Sequence, residues 1–134
     1  MTLPTAAQLD ELLSYLPVLE AAGRSFGEPR GLEKLGDNAF SAPWVSYPRD
    51  ITRFFELANQ PCFSDYDYLE KNPQVWLDDP EFLQTATIEQ TITLLTFCNR
   101  AERFNEGFWK YALEKEIIQN ILRRMKVLRH GQVK

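Results

Sequence analysis

One stretch constrains this chain more than any other. Residues 87–104 carry a helix start signal followed at once by apolar residues at helical spacing. Thr87 and Gln90 form a capping box, in which each side chain satisfies a backbone N–H that the first helical turn leaves without a partner. Ile88, Ile92, Leu95 and Asn99 then share one side, flanked by Thr91, Leu94 and Cys98. The spacing predicts a helix, and such a stripe has to be covered by other elements.

The covering elements are legible on either side. Residues 5–22 read as a helix opened by Thr5 and Gln8, a second capping box, with Leu9, Leu12, Leu13 and Leu16 as its stripe. Pro17 lacks a backbone donor and is expected to kink or end it, with Val18 and Leu19 adding a turn before Gly23. Residues 48–60 read as helical, with Pro48 in the first turn, Ile51, Phe54, Phe55 and Ala58 on one face, and Pro61 as the stop. A further helix begins near Asn105 and carries Phe108, Trp109, Ala112 and Leu113. The last spans about 116–129, with Ile117, Ile118, Ile121, Leu122, Met125 and Leu128 buried and Gly131 as terminator.

Two stretches are less regular. Residues 23–47 hold four of the six glycines, plus Pro29 and Pro43, and Phe40–Val45 there reads as a short strand or hairpin arm. Residues 62–86 are short pieces anchored by Phe63, Tyr66, Tyr68, Trp76 and Phe82, in which Asn72-Pro73 and Asp79-Pro80 can each start a short helix. The expectation is an all-α fold: one compact helical domain over residues 1–134, with about five or six helices and an irregular loop or short hairpin near 23–47.

Composition narrows the function classes. Hydrophobic residues make up 44% and charged residues 25%, the balance of a globular chain rather than a disordered one. No uncharged apolar run approaches the roughly 18 residues of a membrane span, and the N-terminus lacks a basic segment followed by an apolar one. A soluble, cytoplasmic protein is expected. Cys62 and Cys98 are not in a CxxC pair and His130 is the sole histidine, so no zinc-ligand pattern arises; the expectation is two reduced, buried thiols, no metal and no cofactor. The net charge of −4 argues against generic affinity for nucleic acid or anionic lipid.

The most unusual segment is 99–111, NRAERFNEGFWKY. It sets Arg100, Glu102, Arg103 and Glu106 beside Phe104, Phe108 and Trp109 at a junction between helices. Arg100 and Arg103 are three residues apart and share a helical face, and Glu106 falls near the start of the next helix, where the dipole favours a carboxylate. Two readings follow. In the first, Arg103 and Glu106 form an internal lock that sets the angle between helices. In the second, Arg100, Arg103, Glu106 and Trp109 form a ligand site, because two guanidinium groups near aromatic rings can grip a carboxylate or phosphate bidentately.

Other constellations carry less chemistry. Helix capping explains Asp79 ahead of Pro80, and Asp65 and Asp67 flank Tyr66 without an evident partner of fixed geometry, so neither acidic pair reads as general acid–base machinery. No serine or cysteine lies near His130 in sequence, and no glycine-rich phosphate loop is present. Residues 54–90 contain eight acids and one base, whereas 121–134 contain five bases and no acid. The basic helix is therefore expected to match the acidic middle, within one chain or across a dimer, rather than a nucleic acid.

The stretch RAERFNEGFW, followed by IIQNILRRMKVL, resembles the C-terminal half of an uncharacterised bacterial domain-of-unknown-function family. The matching positions are Arg100, Arg103, Phe104, Glu106, Gly107, Ile121, Leu122 and Arg124, and the opening segment YLPVLEAAGRSFGE resembles the start of that family. One departure is Glu116, where the family favours glycine between the last two helices. The resemblance implies a shared fold and supplies no activity.

The reading that follows is a binding or protein-interaction module, with no catalytic residue assigned. Its partner would be a protein or a small anionic ligand, with a homodimer left open and a membrane partner not expected. The alternatives are a small enzyme or anion-binding protein using Arg100, Arg103 and Glu106, and a nucleic-acid-associated protein using the C-terminal basic helix.

Overall fold

Two helices here begin where side chains replace missing backbone partners. In the computed structural model, which describes residues 2–30, 34–36, 39–40 and 44–131, helix α1 (Ala6–Leu13) opens on Thr5, whose Oγ1 accepts the Gln8 N–H at 3.2 Å while the Thr5 N–H donates to Gln8 Oε1 at 2.8 Å. The same reciprocal pair, Thr87 with Gln90, opens the long central helix Ile88–Ala101 at 3.2 and 2.9 Å. Both capping boxes predicted from sequence are present.

The helix expected over residues 5–22 is two helices, α1 and then α2 (Leu16–Leu19). The proline explains the break. Pro17 has no N–H to offer the Leu13 carbonyl four residues back, so α1 stops at Leu13 and Pro17 occupies the first turn of α2. Gly23, at φ +73°, follows as the chain leaves the helix.

Two small antiparallel ladders follow. Strand β1 (Glu28–Arg30) pairs with β4 (Trp44–Ser46), and between them β2 (Lys34–Gly36) pairs with β3 (Ala39–Phe40). The arm expected over Phe40–Val45 is thus divided between two ladders, and residues 41–43 lie outside the described residues. Gly27 is required by close approach, since a Cβ there would stand 2.8 Å from Val45 Cγ1.

Helices α3 (Arg49–Ala58) and α4 (Pro73–Leu77), with 3₁₀ turns at Pro61–Phe63, Tyr68–Lys71 and Phe82–Gln84, lead to α5 (Ile88–Ala101), α6 (Phe108–Glu114) and α7 (Ile117–Gly131). The described residues therefore hold seven α-helices, more than the five or six expected, because Pro17 splits the first and Pro73 starts a short one. The fold is mostly helical. Pro48 sits just ahead of α3, as its N-cap, rather than inside its first turn.

Helix α5 is not the one-sided helix that its stripe predicts. Residues 91–96, Cys98 and Asn99 are all buried, so nearly its whole circumference is covered. It packs against α3, α4, α6 and α7, while α1 and α2 close the far side of α7. The alternating threonines make this tolerable. Thr91 and Thr96 return their hydroxyls to the α5 carbonyls of Ile88 (2.6 Å) and Ile92 (2.9 Å), so their polar atoms enter the core already satisfied.

Cys62 and Cys98 are free and buried, and burial pushes the Cys98 thiol up to about 12. No helix among the described residues is long and apolar enough to cross a membrane. At the α6–α7 joint, Glu116 stands at φ +59°, the left-handed region that glycine occupies without steric cost.

Candidate functional site

The site is built around the end of α5. Helix α5 stops at Ala101, and a tight turn through Asn105 leads to Gly107, which at φ +93° lets the chain reverse into α6. The first N–H groups of α6 need acceptors. Glu102 supplies them: Oε2 accepts the Gly107 N–H at 3.0 Å, and Oε1 accepts the Trp109 N–H at 2.9 Å. The Tyr47 hydroxyl, arriving from just beyond β4, donates to the same Oε1 at 2.9 Å. Burial, followed by the hydrogen bond to Glu102 and its negative charge, raises the Tyr47 pKa and keeps the phenol protonated. Glu102 thus joins the strand segment, α5 and α6 at one carboxylate.

The lock expected between Arg103 and Glu106 does not form. Both residues are exposed, and neither has an ion-pair partner among the described residues. The physical reason is the turn after α5: it carries Arg103 outward and leaves Glu102, not Glu106, facing the α6 N-terminus.

With Glu102 occupied, Arg100 is left without an ion-pair partner among the described residues. Its guanidinium carbon lies 5.4 Å from the Tyr66 ring centroid and 5.8 Å from that of Tyr68, a cation–π arrangement. Its Nε is buried without a hydrogen-bond partner. The other half-buried arginines of the described residues are all committed. Arg24 pairs with Asp50 at 2.8 Å, Arg123 with Glu20 at 2.9 Å, and Arg129 with Asp10 at 3.0 Å, while Arg124 donates to the Ala86 carbonyl at 2.9 Å.

Arg100 borders a cleft of about 290 Å³ between α3, the end of α5 and the start of α6. Arg103 and Trp109 line it too, and Glu106 does not. Three of the four residues singled out from sequence therefore meet at one cleft. Its floor is Phe55, buried and stacked face to face on Trp109 with centroids 4.1 Å apart and planes 6° from parallel. The Trp109 indole N–H donates to the Asn99 carbonyl at 3.0 Å, which fixes the ring. Glu56, Asn59 and Asn99 complete the lining. Sequence reasoning missed Phe55, Glu56 and Asn59 because they come from α3 and the residue that caps its end, far along the chain. The only available signal was that Glu56 follows Phe55 on the polar side of an amphipathic helix.

Two other expectations are corrected here. Asp65 does have partners of fixed geometry: its Oδ2 accepts from Lys71 Nζ at 2.6 Å and Thr93 Oγ1 at 2.7 Å, and its Oδ1 accepts the Asp67 N–H at 2.9 Å. Burial of the Asp65 carboxyl raises its pKa, but these bonds and the Lys71 charge outweigh burial and hold it below the usual carboxylate range. Within the chain, the basic C-terminal helix meets the carboxylates of Asp10 on α1, Glu20 at the end of α2 and Glu116, whereas the Phe82–Gln84 segment of the acidic middle packs on α7 and meets it, among the described residues, through the Arg124 bond to the Ala86 carbonyl rather than through a carboxylate. Beside this helix a hollow of about 450 Å³ is lined by Asp10, Glu20, Lys126, Arg129 and His130, but the Arg129–Asp10 pair already cross-links its walls. Among the described residues no cluster of His, Cys, Asp and Glu could hold a metal ion.

The architecture is a mostly helical fold with a small cleft of mixed charge at one helix junction. The chain belongs to a family of unknown function, DUF6508, whose model matches residues 4–131. No curated protein and no solved structure matches it.

Proposed function

We propose that this protein is a cytoplasmic binding module whose cleft takes the carboxylate or phosphate of a small molecule at Arg100 and Arg103. The observation that carries the reading is the state of Arg100. It is half-buried, within cation–π distance of two tyrosine rings, and bonded to no acceptor among the described residues. A guanidinium without an acceptor inside the protein carries an uncompensated desolvation cost, and an anion in the cleft offsets it at the N–H groups that face the cleft. Arg103 adds a second charge at the same cleft, and the planar guanidinium fork suits a two-oxygen ligand. Binding fits better than catalysis, since both oxygens of Glu102 are taken up by three donors and are not free to act on a ligand.

The test is a thermal-shift screen against small carboxylates and phosphates, followed by calorimetric titration at low salt. Saturable binding that Arg100→Met weakens at least about tenfold, with unchanged circular dichroism, is the expected result. Absence of binding across the panel would overturn the reading. One observation favours a protein partner instead: Phe104, next to Arg103, is 85% exposed. A protein-docking role predicts that Phe104→Ser impairs capture of that partner and leaves small-anion binding unchanged.

A further inference from the structure

The cleft is not lined by cations alone. Arg100 and Arg103 supply donors, but Glu56, exposed on α3, lines the same space and has no ion-pair partner among the described residues. Asn99 adds an acceptor. Its Nδ2 donates to the Phe55 carbonyl at 3.1 Å, which fixes the amide, and its Oδ1 accepts no hydrogen bond from a described residue. A simple anion would satisfy the arginines, leave both acceptors unmatched and bring its charge near that of Glu56. A ligand with a carboxylate at one end and a hydrogen-bonding cation at the other satisfies both sides. The volume of about 290 Å³ lies at the small end of ligand pockets, and Trp109, backed by the buried Phe55 ring, gives it an apolar wall.

We infer that the ligand is a free α-amino acid or a zwitterion of that type. Its carboxylate lies at Arg100 and Arg103, its ammonium group at Glu56 and Asn99 Oδ1, and its side chain against Trp109. This inference rests on the anion-binding reading and adds a second, opposite charge to the ligand.

The experiment titrates the full chain with amino acids and with the same acids lacking the amine: phenylalanine against 3-phenylpropionate, leucine against 4-methylpentanoate, aspartate against succinate. Amino acids should bind about tenfold or more tighter, the size of one hydrogen bond to a charged group. Glu56→Gln, an exposed and conservative change, should erase that preference while carboxylate binding persists. Equal affinity for both sets would overturn the zwitterion and leave the anion site standing. Failure of both sets to bind would overturn both. A preference that survives Glu56→Gln would show that Glu56 does not meet the ammonium group.

Discussion

Arg123, Arg124 and Arg129 on α7 and Arg100 at the end of α5 are the same residue type at similar burial, in opposite circumstances. Each α7 arginine reaches an acceptor from a distant part of the chain: Glu20, the Ala86 carbonyl, and Asp10. Arg100 has Glu102 two residues along, yet that carboxylate is already taken by the N–H groups of Gly107 and Trp109 and by Tyr47. A helix N-terminus presents donors that cannot move away, whereas a guanidinium can rest on aromatic rings. The carboxylate therefore serves the junction, and the arginine keeps no acceptor among the described residues, the state on which the proposed anion site rests. Burial of a charged residue does not distinguish a structural group from a binding group; the fate of the nearest counter-charge does.

The comparison is broken most severely at Glu102. Glu102→Ala leaves three donors without an acceptor and should cost about 3 kcal/mol, which lowers the melting temperature by roughly 10 °C for a chain of this size. A melting temperature within a degree or two of wild type would mean that the junction does not depend on this carboxylate.

Asp65 tests whether the fully paired carboxylate is the structural one. Asp65→Ala should cost about 2 kcal/mol at neutral pH, through the bonds lost to Lys71 and Thr93. Its folded pKa is depressed, so its contribution is fully present above the unfolded value near 3.8 and is lost as pH falls through the folded value. Chemical denaturation across this acid range should show the wild type losing stability on acidification, and the variant losing less.

The arginines themselves give the next effect. Arg124→Ala removes a partly buried bond to the Ala86 carbonyl and should cost about 1–1.5 kcal/mol. Arg103→Ala, at an exposed residue without a described partner, should stay within about 0.5 kcal/mol. Urea unfolding of the pair measures this directly, and a large loss at Arg103 would restore the lock that its sequence neighbourhood suggested.

A further small effect is at the α6–α7 joint. Glu116 combines a left-handed backbone with an exposed ion pair to Arg123 at 3.0 Å. Glu116→Gly and Glu116→Ala both lose the pair, but only glycine is free of the steric cost. The glycine variant should be the more stable of the two by about 1 kcal/mol. Equal stabilities would show that the backbone strain there is negligible.

Local signals carried much of the fold. The capping boxes at Thr5 and Thr87, the helical stripes of α3 and α7, and the proline that closes the stretch after α3 each act over a few residues, so they could be read before any tertiary arrangement was known, although the first helical stretch ends at Leu19, ahead of the stop expected at Gly23. Arg100, Arg103 and Trp109 were also visible as a group, because their spacing alone places cations beside an aromatic ring at a junction. Which carboxylate would lock that junction was not visible. Glu102 and Glu106 differ by four positions, and the choice depends on how the chain turns at Gly107 and on the arrival of Tyr47 from 55 residues away. The covering of α5 on nearly all sides, the pairing of α7 with α1 and α2, and the entry of Glu56 into the cleft are likewise long-range outcomes. Periodicity shows that a face must be covered, while packing selects what covers it, and with it which charges remain free to meet a ligand.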